Sequence, residues 1–91
     1  MKKSDLIAIV AQKAKTTNIA AENVVNAIFE VMKAALLRGE RIELRGFGSF
    51  AVKQYESYTG RNPKTGIAIA VAPKRLPVFK VGKHLAERIN S

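Results

Sequence analysis

The spacing of apolar residues changes period at Gly39, and this divides the chain into a helical first part and a second part that opens with strands. Before it, Leu6, Ile7, Val10 and Ala14, then Ala21, Val25, Ile28, Met32 and Ala35, recur at three- and four-residue intervals, the spacing of one helix face. After it, Glu40-Arg41-Ile42-Glu43-Leu44-Arg45 alternates charged and apolar residues, as a half-buried strand does. The spacing predicts a first helix with Ser4 as N-cap and Asp5 in its first turn, ending near Lys15. Thr17 or Asn18 caps a second helix from Ile19 to Arg38, without a capping box, and Gly39 stops it.

Past Gly39 the chain reads as extended segments separated by glycine and proline. Gly46-Phe47-Gly48-Ser49-Phe50 is a turn carrying two aromatics, and Ala51–Tyr58 a second strand. Ile67–Ala72, with β-branched residues at alternate positions, is a third. Pro73 and Pro77 punctuate a further extended piece, Lys74–Phe79. Gly82 precedes a short helix, Lys83–Ile89, with Leu85, Ala86 and Ile89 on its apolar side. The expected order is helix, helix, three strands, helix.

Two parts of this arrangement lack a partner within the chain. Val24, Phe29, Val31 and Leu36 widen the stripe on the second helix beyond what one short neighbouring helix covers, and 91 residues bury only a modest core. A dimer that covers the surplus is therefore expected. The two strands joined across Gly60-Arg61-Asn62-Pro63-Lys64-Thr65-Gly66 also form a hairpin with nothing left to cover it. A two-stranded ribbon alone in water is marginal, which points to a stabilising partner in another molecule.

Charge narrows the identity of that molecule. Sixteen Lys and Arg against seven Asp and Glu give +9. Residues 51–91 carry eight cations and two anions, against eight and five in residues 1–50. Such an excess suits a polyanion. In the hairpin loop Pro63 fixes φ between Arg61 and Lys64, so cations flank a rigid apolar tip. Phosphate walls and an apolar wedge between bases would use such a tip; taken alone, the same residues also suit an ordinary turn.

The chain has no cysteine, and one histidine, His84, which reads as a solvated surface residue. Metal sites, catalytic triads and disulfides therefore have no residues to draw on, and neither an enzyme nor a cofactor is expected. Gly46-Phe47-Gly48 opens no helix, and Ile67 stands after Gly66 where a phosphate-binding loop needs lysine. Asp5, Gln12 and Lys13 interrupt the apolar residues after Met-Lys-Lys, so neither a signal peptide nor a membrane span is expected, and a cytoplasmic location is.

Three motifs in order, Gly39–Phe50 (GERIELRGFGSF), Thr59–Gly66 (TGRNPKTG) and Pro77/Phe79/Gly82/Lys83/Leu85, resemble those of the bacterial HU/integration host factor family of histone-like proteins. The resemblance spans essentially the whole chain and is nearer to the β subunit type of integration host factor than to typical HU. It implies an α+β fold, an intertwined dimer with a helical body, a β saddle and two protruding β-ribbon arms. The parts would be a single domain, 1–91: body about 1–39, saddle and arm about 40–80 with the arm tip at 60–66, and a terminal helix about 83–90. It implies a homodimer or a heterodimer with a paralogous subunit, located at the nucleoid, that binds duplex DNA in the minor groove and bends it.

The resemblance also assigns residues. Pro63 would be the wedge, with Arg61 and Asn62 beside it in the groove and Lys64 at the tip. Lys3, Lys74, Lys80 and Lys83, with the backbone near Gly82, would meet phosphates, and Arg45, Lys53 and Arg75 would also bind DNA. Glu43 and Arg45 are either a sequence-preference pair or an exposed ion pair of small worth. Phe29, Phe47, Phe50 and Phe79 would be the dimer core. The departures from the family lie in the arm: Gln54-Tyr55-Glu56-Ser57-Tyr58 and Ile67–Ala72 lack the usual bases, so a shallow salt dependence is expected. Two other readings remain: an RNA- or ribosome-associated protein whose tyrosines stack on bases, which fits the charge but explains the Pro63 tip and the projecting ribbon less well, and a module that binds protein by strand addition along Ile67, Ile69 and Val71.

Overall fold

The structure, a computed structural model, describes residues 1–61 and 64–91, which form two compact units, Met1–Ala35 and Leu36–Ser91. The first holds helix α1 (Lys3–Lys13) and most of α2 (Asn18–Leu37). The second holds five strands and helix α3 (Lys83–Ile89).

α1 begins two residues earlier than Ser4 as a cap would allow. Lys2 is the N-cap, and its backbone N–H donates to the Asp5 carboxylate at 2.8 Å, so Asp5 satisfies a terminal amide as well as the helix dipole. At the other end Lys15 takes a left-handed conformation, φ 54°, and donates to the Gln12 carbonyl, while Thr16 donates to that of Ala11. This is the paired closure that usually employs glycine. Of the two capping residues expected for α2, Thr17 serves: its Oγ1 accepts from the Ala20 N–H at 3.1 Å. Gly39, at φ +78°, closes the far end by donating to Leu36.

The core of the helical unit is thin. Ala11, Ala21, Val25 and Ala35 are buried, but Ile28, which the stripe places among them, is 53% exposed, as is Val24. Val31 is exposed to 67%. The α2 stripe is thus only partly covered by the chain itself.

In the second unit β1 (Ile42–Leu44), β2 (Gly48–Tyr55) and β5 (Lys74–Val81) form an antiparallel sheet in the order β1-β2-β5, and β3 (Tyr58–Arg61) pairs with β4 (Ala68–Val71) as a separate ribbon. This redraws the expected strands. The piece 74–79 is a full strand, the second longest-paired element of the sheet, because Pro77 opposes Val52 without ending the ladder. Ala51–Tyr58 is not one strand: β2 starts earlier, at Gly48, and ends at Tyr55, and Tyr58 belongs to the ribbon. The two interruptions face one another, Glu56–Ser57 opposite Ala72–Pro73, since Tyr55 pairs with Lys74 and Tyr58 with Val71. Pro73 has no N–H to give there.

The β1–β2 hairpin is closed by Phe47 N–H donating to Leu44 at 2.9 Å, with Gly46 at φ +82°. Phe79 packs at a tilt against both Phe50 (ring centroids 4.9 Å apart) and Phe47 (5.4 Å). The expected aromatic cluster is present in this unit, but it is not sealed by it: Phe47 and Phe79 remain 47% and 45% exposed.

Candidate nucleic-acid interface

Side chains alternate between the faces of a sheet, and paired residues share a face. The register therefore sorts this sheet into two faces, one richer in aromatic and aliphatic residues and one richer in cations. Ile42, Leu44, Phe50, Val52, Pro77, Phe79 and Val81 lie on one face. Glu43, Ser49, Lys53, Tyr55, Lys74 and Lys80 lie on the other, interleaved with Ala51, Leu76 and Val78. Arg41 joins this polar face, since its guanidinium contacts Glu43 at 3.2 Å and the Ser49 hydroxyl at 3.4 Å. This face presents Arg41, Lys53, Lys74 and Lys80 against the single carboxylate of Glu43.

Its cations converge at a shallow cleft lined by Arg41, Glu43, Arg45, Ser49, Lys80 and Lys83, where the 45–47 turn meets the start of α3. Four positive side chains here face one carboxylate. Glu43 pairs with Arg41, not with Arg45, and Lys83 lies 4.0 Å from Glu87. Arg45 and Lys80 have no ion-pair partner among the described residues. Arg41 and Glu43 are 61% and 73% exposed, so their pairing is weak and does not neutralise the cleft. The arrangement suits an anion with several charges laid along it, and among the described residues no His/Cys/Asp/Glu group could hold a metal.

Further along the same face, the Lys53 ammonium sits 5.5 Å from the Tyr55 ring centroid, and Tyr55 pairs with Lys74. These residues stand where the sheet gives way to the ribbon. Arg61 ends β3 on the ribbon, and Lys64 lies in the turn beyond; Asn62 and Pro63 lie outside the described residues. Lys3 is exposed at the start of α1 in the helical unit.

Two of the expected contacts are placed differently. Arg75 shares the Phe79 face, not the cationic one, and its Nη2 fills the space beside Gly39, where a Cβ would stand 3.1 Å away. The Gly82 N–H is already committed: it donates to the Phe47 carbonyl at 2.8 Å and so holds the 45–47 turn against α3. It is a brace for the cleft rather than an open donor. Arg41 carries no role in the sequence reading, although the two-residue steps Arg41, Glu43, Arg45 signal a common face.

No helix of the described residues is long and apolar enough to cross a membrane. The chain matches the family described as bacterial DNA-binding protein over residues 1–90. Among solved structures it is similar to HU from Anabaena in a cocrystal with DNA, at 36% identity and a TM-score of 0.87, covering 98% of this chain and 97% of that one. HU from Thermotoga maritima is also similar, at 29% identity and a TM-score of 0.67, with 98% of each chain covered. A point mutant of the latter gives 31% identity and a TM-score of 0.72, covering 98% of this chain and 99% of that one. With the match running nearly end to end and the helices, sheet and ribbon in the same order, the chain belongs to the bacterial DNA-binding protein family that includes HU, a family of binding proteins and not of enzymes.

Proposed function

We propose that this chain is an architectural protein that binds duplex DNA through the minor groove and bends it without chemistry on the DNA. The observation that carries this is the cleft where Arg41, Arg45, Lys80 and Lys83 stand around the one carboxylate of Glu43, on the sheet face that also presents Lys53 and Lys74. A cationic strip on a rigid sheet tracks a phosphate backbone. The cocrystal of Anabaena HU with DNA supports the same partner for this chain.

In this reading Arg41, Arg45, Lys80 and Lys83 take phosphates at the cleft, Lys53 and Lys74 take them at the root of the ribbon, and Lys3 adds a contact from α1. Arg61, Asn62 and Lys64 enter the groove with the ribbon, and Pro63 wedges between base pairs. Arg75 braces the apolar side instead of meeting DNA. The half-exposed Phe47 and Phe79, with Phe29 at 39%, are covered by a second copy or by a paralogous subunit. Residues 1–91 then act as one histone-like unit at the nucleoid. Glu43, held by Arg41, leaves Arg45 available for a sequence preference like that of the β subunit of integration host factor.

The test is end-to-end fluorescence transfer on a duplex bound by the wild type and by Pro63→Ala. The wild type brings the ends together, and the variant does so less while losing only part of its affinity. An unbent duplex with the wild type defeats the architectural reading, and an equal bend with the variant removes Pro63 as the wedge. Selection of bound duplexes from a random pool separates a site-preferring protein, which enriches a sequence, from a packaging one.

A further inference from the structure

The β3–β4 ribbon also has two unlike faces. Its register puts Tyr58 opposite Val71 and Gly60 opposite Ile69 on one, with Ile67 next in the same alternation. Thr59, Arg61, Ala68 and Ala70 occupy the other. The first face is apolar and open: Tyr58 is 62% exposed, Ile67 64% and Ile69 47%. The Tyr58 ring leans along it over Gly60, where a Cβ would lie 3.6 Å from the ring. From residue 57 to 60, and again from 66 to 73, the ribbon carries no charge. Cations stand only at its ends, Arg61 at the outer one and Lys53 and Lys74 at the root.

We propose that this apolar face lies on the deoxyribose edges of the minor groove and makes the chain discriminate against duplexes that carry 2′-hydroxyls; the proposal rests on the DNA-binding reading above. The charge pattern selects this occupant. Cations at both ends match the phosphates at a groove's rim, while the uncharged middle can meet only groups that are themselves apolar, such as sugar C–H edges. Covering such groups is favourable through loss of water from both surfaces and releases no counterions. An RNA duplex displays 2′-hydroxyls across its minor groove, and among the described residues this face of the ribbon offers them only Tyr58 as a polar side chain. Burying them costs desolvation without a returned hydrogen bond. The arm thereby favours DNA by what it lacks.

The experiment is anisotropy titration of one duplex sequence, made as DNA and as RNA, over a range of salt. Three proteins are compared: the wild type, Ile69→Thr with Val71→Thr on the apolar face, and Ala68→Ser with Ala70→Ser on the opposite face. The threonines keep the β-branched shape that suits a strand. The expected result is about a tenfold loss of DNA affinity in the threonine variant, from the apolar contact removed. Its salt slope stays that of the wild type, because no charge has changed. Its RNA affinity does not fall, and the serine variant binds both duplexes as the wild type does. Equal losses on DNA and RNA, an unchanged DNA affinity, or an equal loss in the serine variant would each overturn the proposal while leaving DNA binding intact. A wild type that binds no duplex DNA sinks the underlying reading together with it.

Discussion

Gly48 and Phe79 meet with no room for a side chain between them. A Cβ at position 48 would stand 2.7 Å from the Phe79 ring and 2.5 Å from the Lys80 carbonyl oxygen. The bare backbone of β2 lets Phe79 lie flat enough to reach Phe50 and Phe47 together. The same closeness sets Lys80 at the cleft, because its carbonyl and its neighbour's ring lock this end of β5.

Gly48→Ala is therefore expected to destabilise the protein by about 1–3 kcal/mol, the usual cost of forcing an extra carbon into a packed site. Denaturant unfolding checks this. Since backbone surrounds the site on one side, the strain cannot be relieved by a rotamer change of Phe79 alone. A neutral Gly48→Ala would show that β2 and β5 are not tightly apposed at this point.

Cover of the exposed aromatic cluster by a second subunit, as proposed, would make association part of stability. Truncating Phe47 to alanine is expected to cost about 2–4 kcal/mol and to shift the protein towards monomer in sedimentation. The wild-type melting temperature is expected to rise with protein concentration, as it does wherever folding and association are coupled. A monomeric wild type whose melting ignores concentration would refute a covered face.

The joint between α2 and β1 has an acid-sensitive contact. Arg38 donates to both oxygens of Glu40, at 3.1 and 3.0 Å. These hydrogen bonds first, and the guanidinium charge second, hold the Glu40 carboxyl below its ordinary range. A lowered folded pKa contributes stability that is present above the ordinary carboxylate range and is lost as pH falls through the folded value. The stability difference between wild type and Glu40→Gln should be small and positive near neutrality, shrink with salt, and vanish in acid. Melting curves across pH report it; a difference that persists in acid would assign the effect to something other than this charge.

Much of this was legible in the sequence because helix, strand and turn signals agreed locally. The period switch at Gly39, the Thr17 cap and the Gly39 stop are local matters, and they stand where the residues put them. What escaped was set by pairing. Nothing in Glu56-Ser57 marks a strand break; the break appears once Pro73 is known to lie opposite. Arg75 counts as one more cation until its register with Gln54 puts it on the Phe79 face. Gly82 looked like a free backbone donor because its acceptor, Phe47, lies 35 residues away in the chain. Ser4 was outcompeted as a cap because Asp5 could serve the Lys2 amide directly.

The facing gaps at Glu56–Ser57 and Ala72–Pro73 leave the sheet and the ribbon without a continuous ladder between them. Each must then open to solvent on its own free-energy scale, the four-pair ribbon at far less cost than the eight-pair β2–β5 ladder. In amide hydrogen exchange this would appear as two classes of protection divided at residues 56 and 73. Bound DNA would slow the faster class most, so the energy of ordering the ribbon would be spent at the moment of binding.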